Sequence, residues 1–142
     1  MVIDVCEGVC IQTEAVLRAA WNEGVRPVLV LNKVDRLCTE LQLTPVEAYM
    51  HLRRLLEQVN VIAAGHFTAE AMAGDTDDKD SAASLDIDEK QEREIMFSPT
   101  RGTAVFASSV HGWAFSVDDF AQLLSPLLKL PVKTLRRCVW GD

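Results

Sequence analysis

A run of apolar residues that ends in a polar tip is the feature that most constrains how this chain can fold. Residues 28–31 are Val-Leu-Val-Leu, and they run from Pro27 directly into the tetrapeptide Asn32-Lys33-Val34-Asp35. A short apolar run rich in β-branched residues predicts a strand that is buried on both faces, as strands of parallel sheets are. Ligands of open α/β sheets bind at the carboxyl edge of the strands, so the polar tip predicts a binding site.

The tip matches the N-K-x-D motif with which GTP-binding proteins recognise guanine. The Asp35 carboxylate can accept from the ring N1–H and the exocyclic amine of guanine, two donors that adenine lacks on that edge. We predict that Asn32 bonds toward the opposite edge of the base and ties neighbouring loops, while the methylenes of Lys33 lie over the base plane. Such a tetrapeptide also occurs by chance in lysine-rich surface turns, but its place directly after a predicted buried strand favours guanine recognition.

The apolar periodicity predicts an α/β fold, with a parallel sheet flanked by helices. Strands are predicted at residues 1–5, 28–31 and 103–107, and helices at residues 12–23, 45–59 and 117–128. The second helix begins at a capping box, because Thr44 is followed by Pro45 and then by Glu47. The third helix begins at a second capping box, Ser116 with Asp119, and is expected to pack four large residues inward: Phe120, Leu123, Leu124 and Leu127.

A second loop of small residues follows the predicted strand 103–107. It consists of Ser108, Ser109 and Val110. In GTP-binding domains the corresponding loop donates backbone N–H groups toward guanine O6, and small residues let the backbone approach the ring. Its order after N-K-x-D strengthens the prediction of a guanine site.

Composition indicates one soluble globular domain. The chain has 142 residues, of which 49% are hydrophobic and 25% charged. It lacks both an apolar run long enough for a membrane span and a signal peptide, so we expect a cytoplasmic protein with no membrane contact. The four cysteines form no C-x-x-C pair and only three histidines are present, which predicts reduced thiols and no metal site. His66 and His111 are expected to be surface or packing residues.

The net charge of −7 is concentrated in one segment. Residues 70–94 contain ten acidic and three basic side chains, and the rest of the chain is balanced. Such a composition cannot bury enough apolar surface to offset the entropy of ordering, so residues 68–95 are predicted to form a disordered acidic insertion. A solvated insertion without a partner and a segment that binds a basic surface are both open.

Several stretches resemble the GTPase domain of the elongation factor 2 branch of translational GTPases. They are residues 2–5, residues 27–36, Gly102-Thr103 and the His-Gly-Trp-Ala-Phe sequence at 111–115. The resemblance implies a partial P-loop-type G domain that binds GTP or GDP through Asn32, Lys33, Asp35 and the loop 108–110.

Other stretches are more similar to the elongation-factor-like GTPase of ribosome assembly. They are residues 44–49, residues 97–99, the acidic insertion and residues 135–142. This resemblance implies a parent GTPase that acts on the large ribosomal subunit during its cytoplasmic maturation, with a partner of the Shwachman–Bodian–Diamond family. A fragment of the elongation factor 2 translocase is the alternative, favoured by residues 111–115.

The sequence contains none of the motifs with which this family holds phosphates. The G-x-x-x-x-G-K-[ST] loop, the switch threonine and the D-x-P-G-H segment are absent, so no catalytic residue is assigned and Mg²⁺ ligands are expected outside this chain. We therefore expect residues 1–130 to be the C-terminal portion of a G domain, and residues 131–142 to be an exit segment toward the next domain. Alone, the chain is expected to be poorly soluble, to bind guanine nucleotide weakly and to hydrolyse none. A non-hydrolysing interaction module on a G-domain scaffold is the alternative from another class.

Overall fold

In the part of the chain that the structure describes, four strands form a single mixed sheet. The structure, a computed structural model, describes residues 1–73 and 96–141, with the side chains of residues 66–73 left out. The strands lie side by side in chain order, and the first three are parallel while the last is antiparallel to its neighbour. They are β1 (Val2–Asp4), β2 (Leu29–Asn32), β3 (Ala104–Ser108) and β4 (Trp113–Phe115).

Five helices accompany the strands in the described part of the chain, together with a 3₁₀ turn at Pro99–Arg101. They are α1 (Ile11–Asn22), α2 (Arg36–Thr39), α3 (Pro45–Ala73), α4 (Val117–Leu128) and α5 (Val132–Trp140). Helix α1 connects two parallel strands, as the βαβ pattern predicted. The predicted fold class, an α/β sheet flanked by helices, is confirmed. None of the described helices combines the length and the apolar character needed to cross a membrane.

The two faces of the sheet differ in burial. We call one the covered face: Ile3, Leu29, Leu31, Ala104 and Phe106, all buried. They pack with α1, α3 and α5 through the buried residues Leu17, Leu52, Leu55, Leu56, Val59 and Trp140. We call the other the open face: its central row is Val2, Val30 and Val105, which are aligned across the strands.

The expectation that β2 is buried on both faces is wrong, because its open-face side is only partly covered. Val2 is 64% exposed, and Val30 and Val105 are only partly buried. Side chains alternate between the two faces of a strand, so every second residue of this apolar run points away from the core. A continuous apolar run therefore did not distinguish full from one-sided burial here.

Helix α3 begins where its capping box predicted. The Thr44 N–H donates to Glu47 Oε2 at 2.8 Å, and the Glu47 N–H donates back to Thr44 Oγ1 at 3.4 Å. The helix continues to Ala73. Residues 68–73, which were expected to be disordered, therefore have helical backbone, and the rest of the predicted acidic insertion lies outside the described residues.

Helix α4 also begins at its predicted capping box, formed by Ser116 and Asp119. The expectation that its large residues pack inward is wrong for three of the four, because Leu123 and Leu127 are 63% and 72% exposed and Phe120 is exposed as well, while Leu124 is partly buried. The buried positions are the smaller Val117 and Ala121. Helices pack closely where side chains are small, so the face that α4 turns inward is its small-residue face.

The C-terminal residues form a helix that packs on the domain, where the sequence had suggested only an exit segment. The Trp140 ring lies 5.4 Å from the Phe106 ring and 5.3 Å from the Tyr49 ring. The Tyr49 hydroxyl donates to the Trp140 carbonyl at 2.6 Å. On the other side of α5, Arg136 pairs with Asp118 of α4. Residues 132–140 thus contribute to the core as well as to the surface.

Candidate nucleotide-binding site

A tight turn follows β2 at the carboxyl edge of the sheet. Lys33 adopts the left-handed conformation, with φ of 64°, which non-glycine residues rarely adopt. The Asn32 side chain stabilises the turn, because its Oδ1 accepts from the Lys33 N–H at 2.8 Å. The Val34 N–H then donates to the Ala107 carbonyl of β3 at 3.1 Å. The polar tip is thereby held against the end of the neighbouring strand.

The two loops predicted to share a site are joined by reciprocal hydrogen bonds. Asn32 Oδ1 accepts from the Ser109 N–H at 3.1 Å, and Asn32 Nδ2 donates to Ser109 Oγ at 3.3 Å. These residues are 77 positions apart in the chain. One amide side chain therefore fixes the distance between the tip of β2 and the loop after β3.

Asp35 presents a carboxylate at the start of α2. Its side chain is only 15% exposed. Its Oδ1 is buried and has no hydrogen-bond partner among the described residues, while its Oδ2 lies 3.7 Å from His111 Nδ1. A buried acceptor without a partner is costly, and a ligand donor that reached it would recover that cost. Asp35 Oδ1 is therefore an unsatisfied acceptor that faces this edge of the described structure.

The Ser108 side chain points inward and binds His111. Ser108 is fully buried, its Oγ lies 3.0 Å from His111 Nδ1, and it accepts from the His111 N–H at 3.3 Å. Val110, by contrast, is an exposed residue. The structure thus places Ser109 against Asn32, Ser108 beneath the loop and Val110 at the surface. Sequence reasoning missed the position of His111 beside Asp35, for which the sequence carries no spacing signal.

An ion pair links the tip to the end of β1. Lys33 Nζ contacts Asp4 Oδ2, and Asp4 Oδ1 accepts from the Cys6 N–H at 2.9 Å. Burial raises the pKa of Asp4, but the hydrogen bonds from Lys33 and Cys6 more than offset it, so the pKa lies below its ordinary value of 3.8. Asp4 was not among the site residues predicted from the sequence. Its only sequence signal was an acid at the end of a predicted strand.

The donors at this edge do not suit a magnesium ion. Mg²⁺ prefers an octahedron of oxygen ligands, whereas the edge offers one free carboxylate beside amide, hydroxyl and ammonium groups. No group of three or more His, Cys, Asp or Glu side chains that could hold a metal lies within residues 1–73 and 96–141. The four cysteines are free thiols.

Comparison with known proteins gives the class of this domain. Residues 1–135 match the family "Elongation factor Tu GTP binding domain". The chain therefore belongs to this family of translational GTPase domains, whose members bind guanine nucleotide. The resemblance found from the sequence is confirmed.

The relatives it resembles carry two names. Over 142 residues the chain is 44% identical to Ribosome assembly protein 1 of Schizosaccharomyces pombe, and over 148 residues 41% identical to the protein of that name in Saccharomyces cerevisiae. It is 39% identical over 159 residues to Elongation factor-like GTPase 1 of Mus musculus. Each match takes in the whole of this chain but only 13% to 14% of the relative's length.

Proposed function

We propose that this chain supplies the guanine-recognition half of a GTPase domain. Asp35 accepts from N1–H and the 2-amino group of guanine, the Lys33 methylenes cover one side of the ring, and Asn32 holds the loop 108–110 at the O6 edge. The observation that carries this proposal is the pair of hydrogen bonds between Asn32 and Ser109, beside a carboxylate oxygen of Asp35 that lacks a partner among the described residues. A buried carboxylate of this kind rejects a base that cannot donate to it.

Hydrolysis is assigned to a longer parent protein. The 142 residues contain no G-x-x-x-x-G-K-[ST] loop, and the edge of the sheet does not suit Mg²⁺. We therefore propose that other segments of the parent hold the phosphates, the Mg²⁺ ion and the attacking water, while residues 32–35 and 108–110 select the base.

The parent is proposed to act in ribosome assembly in the cytoplasm. The names of the relatives from two yeasts support ribosome assembly, and the name of the mouse relative supports GTPase activity. Action on the large subunit with a Shwachman–Bodian–Diamond-type partner is the finer part of the proposal, and it rests on the resemblance of residues 44–49 and 97–99. A translocase origin is the second candidate, because residues 111–115 resemble elongation factor 2.

A segment exchange tests the assembly role. The 142 residues would replace the matching segment of Ribosome assembly protein 1 in fission yeast, and of elongation factor 2 in a parallel strain. Under the assembly proposal only the first exchange supports growth with normal amounts of free large subunits on a sucrose gradient. An Asp35→Asn version of the same exchange is the matched control and should fail. Growth of the elongation factor 2 exchange alone would instead favour the translocase.

Guanine selection itself is tested on the 142-residue chain, fused to a soluble carrier protein because the chain alone is expected to be poorly soluble. Guanosine is titrated against the ¹⁵N-labelled protein, and adenosine serves as the reference ligand. We expect the amide signals of Lys33, Asp35 and Ser109 to shift with guanosine alone. Equal shifts with both nucleosides would contradict guanine recognition and favour the interaction module, which needs no base.

A further inference from the structure

We propose that Asp4 is a positioning residue for guanine binding, because it anchors the Lys33 ammonium and so fixes the methylenes that cover the base. The inference rests on the proposed function of the site. It adds a third segment, the end of β1, to the two loops already described.

The sheet register brings the two side chains together. Asp4 is the direct neighbour of Asn32 in the β1–β2 pairing, and Lys33 is the next residue along the chain. The left-handed backbone of Lys33 fixes where its side chain leaves the turn. The ammonium then contacts Asp4 Oδ2, with the Lys33 and Asp4 side chains 29% and 14% exposed. The pair is thus partly shielded from water.

The carboxylate is itself held in place from the other side. Asp4 Oδ1 accepts from the Cys6 N–H at 2.9 Å, and the Gly8 N–H donates to the Asp4 carbonyl at 2.8 Å. The turn after β1 therefore fixes both the side chain and the backbone of this residue. Asp4 is a rigid anchor for a side chain that is otherwise flexible.

This anchoring matters more for binding than for stability. An exposed lysine has many rotamers, and a ligand that needs one of them must bear the entropy of ordering it. When the Lys33 ammonium is already paired with Asp4, the methylenes of the side chain are ordered before the base binds, so the site is preorganised. The stem contacts the plane of the ring and no hydrogen-bonding edge. The effect of Asp4 should therefore be the same for every purine that Asp35 accepts.

A double-mutant cycle on the 142-residue chain tests the proposal. The variants are Asp4→Asn, Lys33→Met and the combination, and the readout is the Kd of guanosine by NMR titration. We expect each single variant to bind about fivefold more weakly, a typical loss for a charge-assisted hydrogen bond that acts indirectly. The double variant should bind no more weakly than Lys33→Met, since Asp4 acts only through the lysine.

Two further readouts separate positioning from a general structural role. The ratio of guanosine to xanthosine affinity should stay unchanged in Asp4→Asn, and the unfolding midpoint near neutral pH should fall only by the small contribution that the Asp4–Lys33 pair makes to stability. Glu14→Gln is the matched control, since it removes the exposed Arg18–Glu14 pair on α1, and it should leave the Kd unchanged.

The remaining outcomes overturn the inference. The first is an unchanged Kd of guanosine in Asp4→Asn. The second is an equal loss of guanosine affinity when Asp4→Asn is introduced into the wild type and into Lys33→Met. The third is a changed preference between guanosine and xanthosine. If Asp4→Asn does not fold, Lys33→Met still tests the proposal. An unchanged Kd of guanosine in Lys33→Met would exclude a role for the anchored Lys33 side chain. Wild-type protein that binds guanosine and adenosine equally would reject the proposed function itself, and with it this inference. Guanosine preference without the coupling would reject the inference alone.

Discussion

The covered and open faces of the sheet are built from similar residues but have different surroundings. Adjacent positions of β2 show the contrast, since Leu31 is fully buried among helices while Val30 is only partly buried. The candidate site lies on the side of the open face, because Asp4 and Asn32 are each two positions after an open-face valine, Val2 and Val30, and so point to the same side of the sheet. The covered face thus holds the fold together, and the other side leads to the polar edge that we propose selects the base.

The largest expected effect is a difference in the free energy of unfolding between substitutions on the two faces. Leu31→Ala deletes a fully buried side chain from the covered face and should lower the free energy of unfolding by about 3 kcal/mol. Val30→Ala, its neighbour on the open face, should cost about 1 kcal/mol or less, because fewer contacts are lost. Urea denaturation of both variants measures the difference. Equal losses would show that the two faces are equally covered in solution.

The next effect concerns ligand choice at the edge. Asp35→Asn replaces an acceptor by an amide that can donate to the 2-carbonyl of xanthine, so it should lower guanosine affinity by about 100-fold and raise that for xanthosine. Asp118→Asn, which breaks the pair with Arg136 far along the chain, is the control for lost charge. Nucleoside titrations measure both. Retained guanosine preference in Asp35→Asn would contradict the role assigned to the carboxylate.

The first three strands and the site loops could be predicted because their signals are local. A run such as 28–31 followed by N-K-x-D needs no knowledge of its neighbours, and the capping residues Thr44 and Ser116 mark helix starts by themselves. The topological order of the two loops then sufficed to bring Asn32 near the serines. Their assignment to the guanine base stays a prediction.

Burial on a given face could not be predicted, because it depends on which element packs there. The large apolar residues of α4 were expected to face the core, yet the buried residues of this helix are Val117 and Ala121. Residues 131–142 were expected to be an exit segment, yet residues 132–140 form a helix whose Trp140 ring lies 5.4 Å from the ring of Phe106. Strand β4 escaped prediction because three residues after a turn carry too little periodicity. The Asp4–Lys33 pair depends on strand register, which the sequence does not specify by itself.

A smaller effect tests how the C-terminal helix is joined to the covered face. Tyr49→Phe removes the donor to the Trp140 carbonyl, a 2.6 Å hydrogen bond that links α3 to the end of α5. The loss of one such bond should lower the free energy of unfolding by about 1 kcal/mol, with guanosine affinity unchanged. Urea denaturation and nucleoside titration measure the two quantities. An unchanged stability would mean that this hydrogen bond does not contribute to holding α5 in place.

The smallest expected effect is a pH dependence on the open-face side. The pKa of Asp4 is lower in the folded chain than its ordinary value of 3.8. The stabilisation it contributes is therefore present above that value and is lost as the pH falls through the lower, folded pKa. Thermal unfolding between pH 6 and pH 3 should show the wild type losing more stability than Asp4→Asn over the lowest part of this range. Parallel curves for the two proteins would mean that the Lys33 ammonium does not hold the carboxylate in solution. The proposal that Asp4 anchors the Lys33 side chain would then have no physical basis, whereas the conclusions about the covered face would be unaffected.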